Sequence, residues 1–135
     1  MFPKNCKILI IDDMKTMRMV MKKHLKTIGF ADITEADDGA TAWPLIEMAA
    51  SGGAPFQLIL SDWNMPQMQG IDLLKKVRAH NSLKKSPFIM VTAETEKTQI
   101  MEAIKAGVSN YLMKPFTVES LTERLEQTYK KINQA

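Results

Sequence analysis

Four short apolar runs in this chain each stop on a residue that can do chemistry. Lys7-Ile-Leu-Ile-Ile11 ends on Asp12 and Asp13, Leu58-Ile-Leu-Ser61 on Asp62, Phe88-Ile-Met-Val91 on Thr92, and Tyr111-Leu-Met113 on Lys114. Runs of this length, bounded by polar residues, read as strands buried on both faces of a parallel sheet. Open α/β sheets bind ligands in the crevice outside the carboxyl ends of their strands. The pattern therefore predicts one site, with three carboxylates, a hydroxyl and an ammonium drawn from both ends of the chain.

The segments between the strands carry helical periodicity, and strand-helix alternation predicts an α/β fold: a five-stranded parallel sheet, doubly wound by five helices. Met17, Val20, Met21, Leu25 and Ile28 fall on one helical face that Gly29 stops. Ile33-Thr-Glu-Ala36 is short and partly polar, which places it at an edge. Asp38-Gly39 turns the chain into a second helix, where Pro44 removes a backbone donor and predicts a kink or a late start. Ser51-Gly-Gly-Ala-Pro55 connects to the third strand. Helices follow Gly70 (Ile71, Leu74, Val77), precede Gly107 (Ile100, Ala103, Ile104) and follow Thr117, a capping residue (Val118, Leu121, Leu125, Ile132).

With 135 residues, 45% hydrophobic and 24% charged, the chain has the composition of one globular domain, long enough to form a core without a staple. The single Cys6 allows no internal disulfide, no apolar run approaches the roughly 20 residues of a membrane span, and Met1-Phe-Pro-Lys-Asn-Cys6 does not read as a secretory signal. A cytoplasmic protein is expected, without a membrane partner. The formal charge of +3 does not point to nucleic acid, because the cations are spread over several helices and no recognition motif accompanies them. They read as solvated faces, or as steering toward an acidic protein.

Two like charges about 4 Å apart repel by about 4 kcal/mol at an effective dielectric near 20, so a crowded aspartate cluster calls for a cation or a proton. Carboxylates without a histidine or cysteine cluster favour Mg²⁺, which keeps several waters and leaves positions for phosphate oxygens. His24 and His80 stand apart from each other and read as surface residues. Asp62, after a fully apolar strand and before the irregular Trp63-Asn-Met-Pro66 turn, is placed at the base of the cleft, and carboxylates serve as nucleophiles in forming aspartyl phosphates. Lys114, fixed at its strand exit by Pro115, can neutralise a phosphoryl group, and Thr92 with the N–H of Ala93 can donate to its oxygens.

Ile11-Asp-Asp-Met14, Leu60-Ser-Asp-Trp-Asn-Met-Pro66 with Gly70, Met90-Val-Thr-Ala-Glu94 and Tyr111-Leu-Met-Lys-Pro-Phe116 together resemble the receiver domains of two-component response regulators, over essentially the whole chain. Asp-Trp-Asn-Met-Pro and Val-Thr-Ala-Glu look most like the single-domain chemotaxis branch. The resemblance implies a flavodoxin-like (βα)5 receiver fold over residues 1–135 with no output domain. It implies that Asp62 accepts a phosphoryl group from a histidine kinase, that Asp13, Asp62 and the backbone carbonyl of Asn64 bind Mg²⁺ with Asp12 acting through water, and that Thr92 and Lys114 contact the phosphoryl group. Thr92 and Tyr111 form the switch, and Asn64 and Glu94 tune dephosphorylation. The implied partners are a chemotaxis-type histidine kinase, a flagellar motor switch protein or another protein target, and a phosphatase, with the receiver itself a monomer. The surface expected to change is the fourth helix, fifth strand and fifth helix, around Tyr111 and Arg124. Pro44, the Gly52-Gly53 loop and the basic surface depart from the chemotaxis pattern, and they bear on partner identity rather than on chemistry.

Two further readings remain within reach of the sequence. A phosphate sink or phosphorelay intermediate would use the same site. An aspartate-nucleophile phosphatase would want a second acid two residues after Asp62, where Asn64 stands. That residue favours a signalling switch over a turnover enzyme, and an intact acidic site argues against a mere binding module.

Overall fold

The computed structural model describes residues 1–93 and 97–133. Strands and helices alternate from end to end: β1 (Ile8–Ile11), α1 (Lys15–Ile28), β2 (Ile33–Ala36), α2 (Gly39–Ser51), β3 (Leu58–Asp62), α3 (Gly70–Ala79), β4 (Phe88–Ala93), α4 (Lys97–Lys105), β5 (Asn110–Lys114) and α5 (Val118–Ile132). All four strand pairings are parallel, in the order β2-β1-β3-β4-β5. The five expected strands and helices form, and β2 is an edge strand as its mixed polarity predicted.

Side-chain alternation divides the strand residues between two cores. Leu9, Ile11, Ile59 and Met90 face the layer of α2, α3 and α4, where Ile46, Leu73, Leu74, Val77 and Ala103 meet them. Ile8, Ile10, Leu58, Leu60, Ile89, Val91 and Leu112 face α1 and α5, against Met21, Leu25, Leu121 and Leu125. Each fully buried leucine contributes about 1.5–3 kcal/mol of apolar burial, which pins α1, α3 and α5 by their apolar stripes.

The helix boundaries have local causes. α1 ends where Gly29, at φ 123°, donates to the carbonyls of Leu25 and Lys26. α5 starts at a reciprocal cap in which Ser120 N–H donates to Thr117 Oγ1 at 3.1 Å and Thr117 N–H to Ser120 Oγ at 2.9 Å. Of the kink or late start expected at Pro44, the late start does not occur: the helix begins at Gly39 and runs through Pro44. Its start is held by Asp38, whose Oδ1 accepts from Ala40 N–H at 2.8 Å, and by Thr41, whose hydroxyl accepts from Asp38 N–H at 3.2 Å. These caps and the burial of Ala42 and Ile46 outweigh the missing N–H of Pro44.

Because β2 lies on one side of β1 and β3 on the other, the order in which strands are added to the sheet reverses at β1 and β3. The crevice above their carboxyl ends is the topological switch point, where such sheets bind ligands.

Candidate functional site

β1, β3 and β5 deliver the charged residues to that crevice. Asp12 and Asp13 follow β1, Asp62 closes β3 and Lys114 closes β5. Carboxylate oxygens of Asp12, Asp13 and Asp62 all lie within 4.8 Å of one another. The Lys114 ammonium is 3.0 Å from Asp62 Oδ1 and 3.5 Å from Asp12 Oδ2. Asp12 and Asp62 are buried and Asp13 is exposed, so the cluster has a buried floor and an open rim. The small cavity beneath it, between Asp12, Arg18, Asp62 and Phe116, holds about 10 Å³, too little for the body of a substrate.

The electrostatics are those of a poised carboxylate. Burial pushes the Asp62 carboxyl up, the Lys114 ammonium pulls it down, and the Asp12 charge adds to the upward push; the net direction is up. Burial lowers the Lys114 pKa, but its contacts with Asp62 and Asp12 outweigh this and hold it above the usual lysine value. Asp62 Oδ1 also accepts from Trp63 N–H at 2.9 Å, which leaves Oδ2 without a donor among the described residues. An all-oxygen donor set of crowded carboxylates fits a hard divalent cation.

Thr92 is buried at the end of β4, paired with Met113 in the ladder. Its hydroxyl donates to Gln99 Oε1 on α4 at 3.2 Å, so it is engaged toward the helix, not hydrogen-bonded to the carboxylates. Tyr111 lies half-buried on β5, and Asn64 is exposed in the turn after Trp63. Glu94 lies outside the described residues.

Three supports escaped the sequence reading. Asp38 is 5% exposed and holds the turn after β3: its Oδ2 accepts from Gln67 N–H and its Oδ1 from Met68 N–H, each at 2.9 Å. Burial pushes its carboxyl up, yet backbone donation from Ala40, Gln67 and Met68 wins and holds it below the usual range. Arg18, counted among the solvated cations, donates to the Asp12 carbonyl at 2.7 Å and to Glu35 at 3.2 Å, bracing the turn that carries the aspartate pair. Gly70 permits a close approach: a Cβ there would fall 2.3 Å from the Asp62 carbonyl oxygen and 2.8 Å from Met90 Sδ. Only the residue types gave a hint in sequence, an Asx cap and a helix-opening glycine. Their partners in the site were not visible.

A doubly wound α/β unit with three carboxylates and a lysine at its switch point is an acidic cleft placed where open α/β sheets bind their ligands. The chain belongs to the response regulator receiver domain family, whose model matches residues 8–126. Among curated relatives it is 49% identical over 127 residues to the chemotaxis protein CheY of Pseudomonas aeruginosa, covering 94% of this chain and 98% of that one. It is 47% identical over 129 residues to chemotaxis protein CheY-3 of Vibrio cholerae, covering 96% and 95%. Among solved structures it is similar to the chemotaxis response regulator CheY4 of Vibrio cholerae, with a TM-score of 0.78, 32% identity and coverage of 92% of this chain and 98% of that chain. The receiver domain of sensor histidine kinase PA1611 from Pseudomonas aeruginosa, solved with a magnesium ion coordinated in its active-site cleft, superposes with a TM-score of 0.79 at 25% identity over 91% of this chain and 96% of that one.

Proposed function

We propose that this chain is a stand-alone chemotaxis-type response regulator that accepts a phosphoryl group on Asp62 from a histidine kinase and thereby changes its affinity for a protein target. The observation that carries this reading is the convergence of Asp12, Asp13 and Asp62 within 4.8 Å, with the Lys114 ammonium 3.0 Å from the acceptor carboxylate. Relatives covered over 95–98% of their own length support a receiver that works without an attached output module.

In this reading an Asp62 oxygen attacks the phosphorus of a phosphohistidine presented at the open rim. The P–N bond breaks and the imidazole leaves with the bonding pair. Lys114 holds the carboxylate in place and then balances the charge of the aspartyl phosphate. Thr92 turns from Gln99 toward the new phosphoryl oxygens, and Tyr111 follows it, reshaping the surface of α4, β5 and α5. A Mg²⁺ ion, when bound, neutralises charge developing on the phosphoryl oxygens. Asp13, Asp62 and the Asn64 carbonyl would hold it directly, and Asp12 would act through water. Transfer of this kind asks mainly for positioning and electrostatic stabilisation. Asn64 and Glu94 would set the lifetime of the product. With Asn64 standing where a phosphatase wants an acid, the protein acts as a switch and not as a turnover enzyme. The target in keeping with the chemotaxis relatives is a flagellar motor switch protein, reached in the cytoplasm by a monomer. Among the described residues no helix is long and apolar enough to cross a membrane.

Trp63, 4% exposed and adjoining the acceptor, reports directly on the site. In a Trp43→Phe background its fluorescence should change with Mg²⁺ and change again, reversibly, with a small phosphodonor, the second change vanishing in Asp62→Asn. Steady hydrolysis of a phosphomonoester would instead make this a phosphatase. Onward transfer to a histidine domain without altered affinity for the motor protein would make it a relay.

A further inference from the structure

Tyr111 lies on an edge strand, and that exposes it to a residue from the opposite layer. Leu112 packs with α1 and α5, so its neighbour Tyr111, paired with Met90, belongs to the α4 face of β5. Yet the guanidinium carbon of Arg124, on α5, sits 4.6 Å from the centroid of the Tyr111 ring. It reaches there around the open edge of the sheet, where no sixth strand stands.

The cation is held in that position. Arg124 Nη1 lies 3.4 Å from both Asn110 Oδ1 and Gln127 Oε1. Asn110 is itself fixed: its Oδ1 accepts from Tyr111 N–H at 2.8 Å, and its Nδ2 donates to Thr128 Oγ1 at 3.1 Å. The Thr128 hydroxyl, fully buried, donates in turn to the Arg124 carbonyl at 2.6 Å. Among the described residues Arg124 forms no salt bridge, so none of their carboxylates competes with the ring for its charge. A planar guanidinium stacks on an aromatic face in a way that a lysine ammonium does not reproduce.

We propose that Arg124 is a positioning residue for the switch, a clamp that stabilises the Tyr111 ring at the sheet edge and so biases the protein toward its unphosphorylated conformer; it depends on the switch role proposed for Tyr111. A ring that turns inward behind Thr92 leaves the guanidinium, and Arg124 cannot follow, because its backbone belongs to the other layer and its head is tethered to Asn110 and Gln127. An interaction made in only one conformer opposes the ligand that selects the other by the same factor. A partly exposed cation–π pair is worth about a two- to fivefold shift.

The test uses beryllium fluoride with Mg²⁺ as a reversible tetrahedral mimic of the phosphoryl group, read by Trp63 fluorescence in the Trp43→Phe background. Arg124→Ala should bind it about two- to fivefold more tightly than the parent, and Arg124→Lys by less than that. In a Tyr111→Leu background the effect of Arg124→Ala should disappear. Unchanged affinity in folded Arg124→Ala, with binding still lost in Asp62→Asn, overturns the clamp and leaves the switch reading standing. An Arg124→Ala effect that persists in Tyr111→Leu also overturns it, since the arginine then acts through its charge alone. Binding that ignores Asp62, or no binding by the parent, overturns the switch reading and the clamp with it.

Discussion

Asp62, the acceptor in the proposed function, is also a source of instability when no metal cation lies beside it. Its carboxyl is held above the usual range because burial and the Asp12 charge outweigh Lys114, so the ionised form is disfavoured by folding. For an acid with a raised folded pKa the penalty is present above that pKa and is relieved as pH falls through it. Metal-free protein should therefore gain stability as pH drops from neutrality toward the aspartate range, until other carboxylates protonate. Asp62→Asn should remove most of that dependence and raise stability at neutral pH by about 0.5–2 kcal/mol, the usual gain when a functional site is disarmed. Thermal melts of both proteins in chelator across this range check the sign; a parent that loses stability on mild acidification while Asp62→Asn does not would refute the argument.

The turn between β3 and α3 is where one element fixes another. Asp38 caps α2 and, through Gln67 and Met68, also ties down the turn that follows Asp62. Asp38→Ala removes a helix cap and leaves two further amides without their acceptor, and should cost about 2–4 kcal/mol in urea unfolding. Because the Asp38 carboxyl is held below its usual range, its stabilisation is present above the unfolded value and fades as pH falls through the folded one, a fade that Asp38→Ala should lack. Gly70→Ala acts from the other end of the turn. A methyl group 2.3 Å from the Asp62 carbonyl oxygen must displace backbone, since the oxygen belongs to the strand that carries the acceptor. It should cost about 1–3 kcal/mol and slow phosphorylation of Asp62, measured by unfolding and by acyl-phosphate formation from a small donor.

At the scale of the whole molecule, β1 and β3 pair directly and Lys114 of β5 reaches the aspartates at both their ends, so a cation bound between Asp13 and Asp62 would add a further link between segments remote in sequence. Such binding to the native state alone adds stability by mass action, about 2.7 kcal/mol when free Mg²⁺ is a hundred times its dissociation constant. Thermal unfolding with and without Mg²⁺ should show this rise in the parent and a far smaller one in Asp13→Ala at the same concentration. An equal rise in both would place the ion elsewhere. The same scale explains Arg78, on α3, which joins the loops before β4 and β5 by donating to the carbonyls of Gly107 and Ser86, each at 2.7 Å, and to Ser109 Oγ at 3.2 Å.

What the sequence determined by itself was the alternation of five parallel strands with five helices, and that Asp12, Asp13, Asp62 and Lys114 stand at strand ends. Apolar runs as short as Ile8–Ile11 and Leu58–Leu60, bounded by polar residues, read as strands within a covered sheet, and parallel strands that share a direction bring the residues at their carboxyl ends to one rim. That is why Asp12, Asp13, Asp62 and Lys114 were legible before any contact was known. Tertiary structure alone decided the contacts that depend on how far a side chain reaches across elements. Asp38 reads in sequence as a helix start and nothing more, Arg18 as a solvated charge, and Arg124 as part of a surface expected to change, with no sign that it stacks on the Tyr111 ring. Their roles come from neighbours 6 to 30 residues away, and from an open sheet edge around which one arginine can pass. Pro44 marks the same boundary from the other side: local propensity opposes the helix there, and caps with buried side chains, which only the folded chain supplies, overrule it.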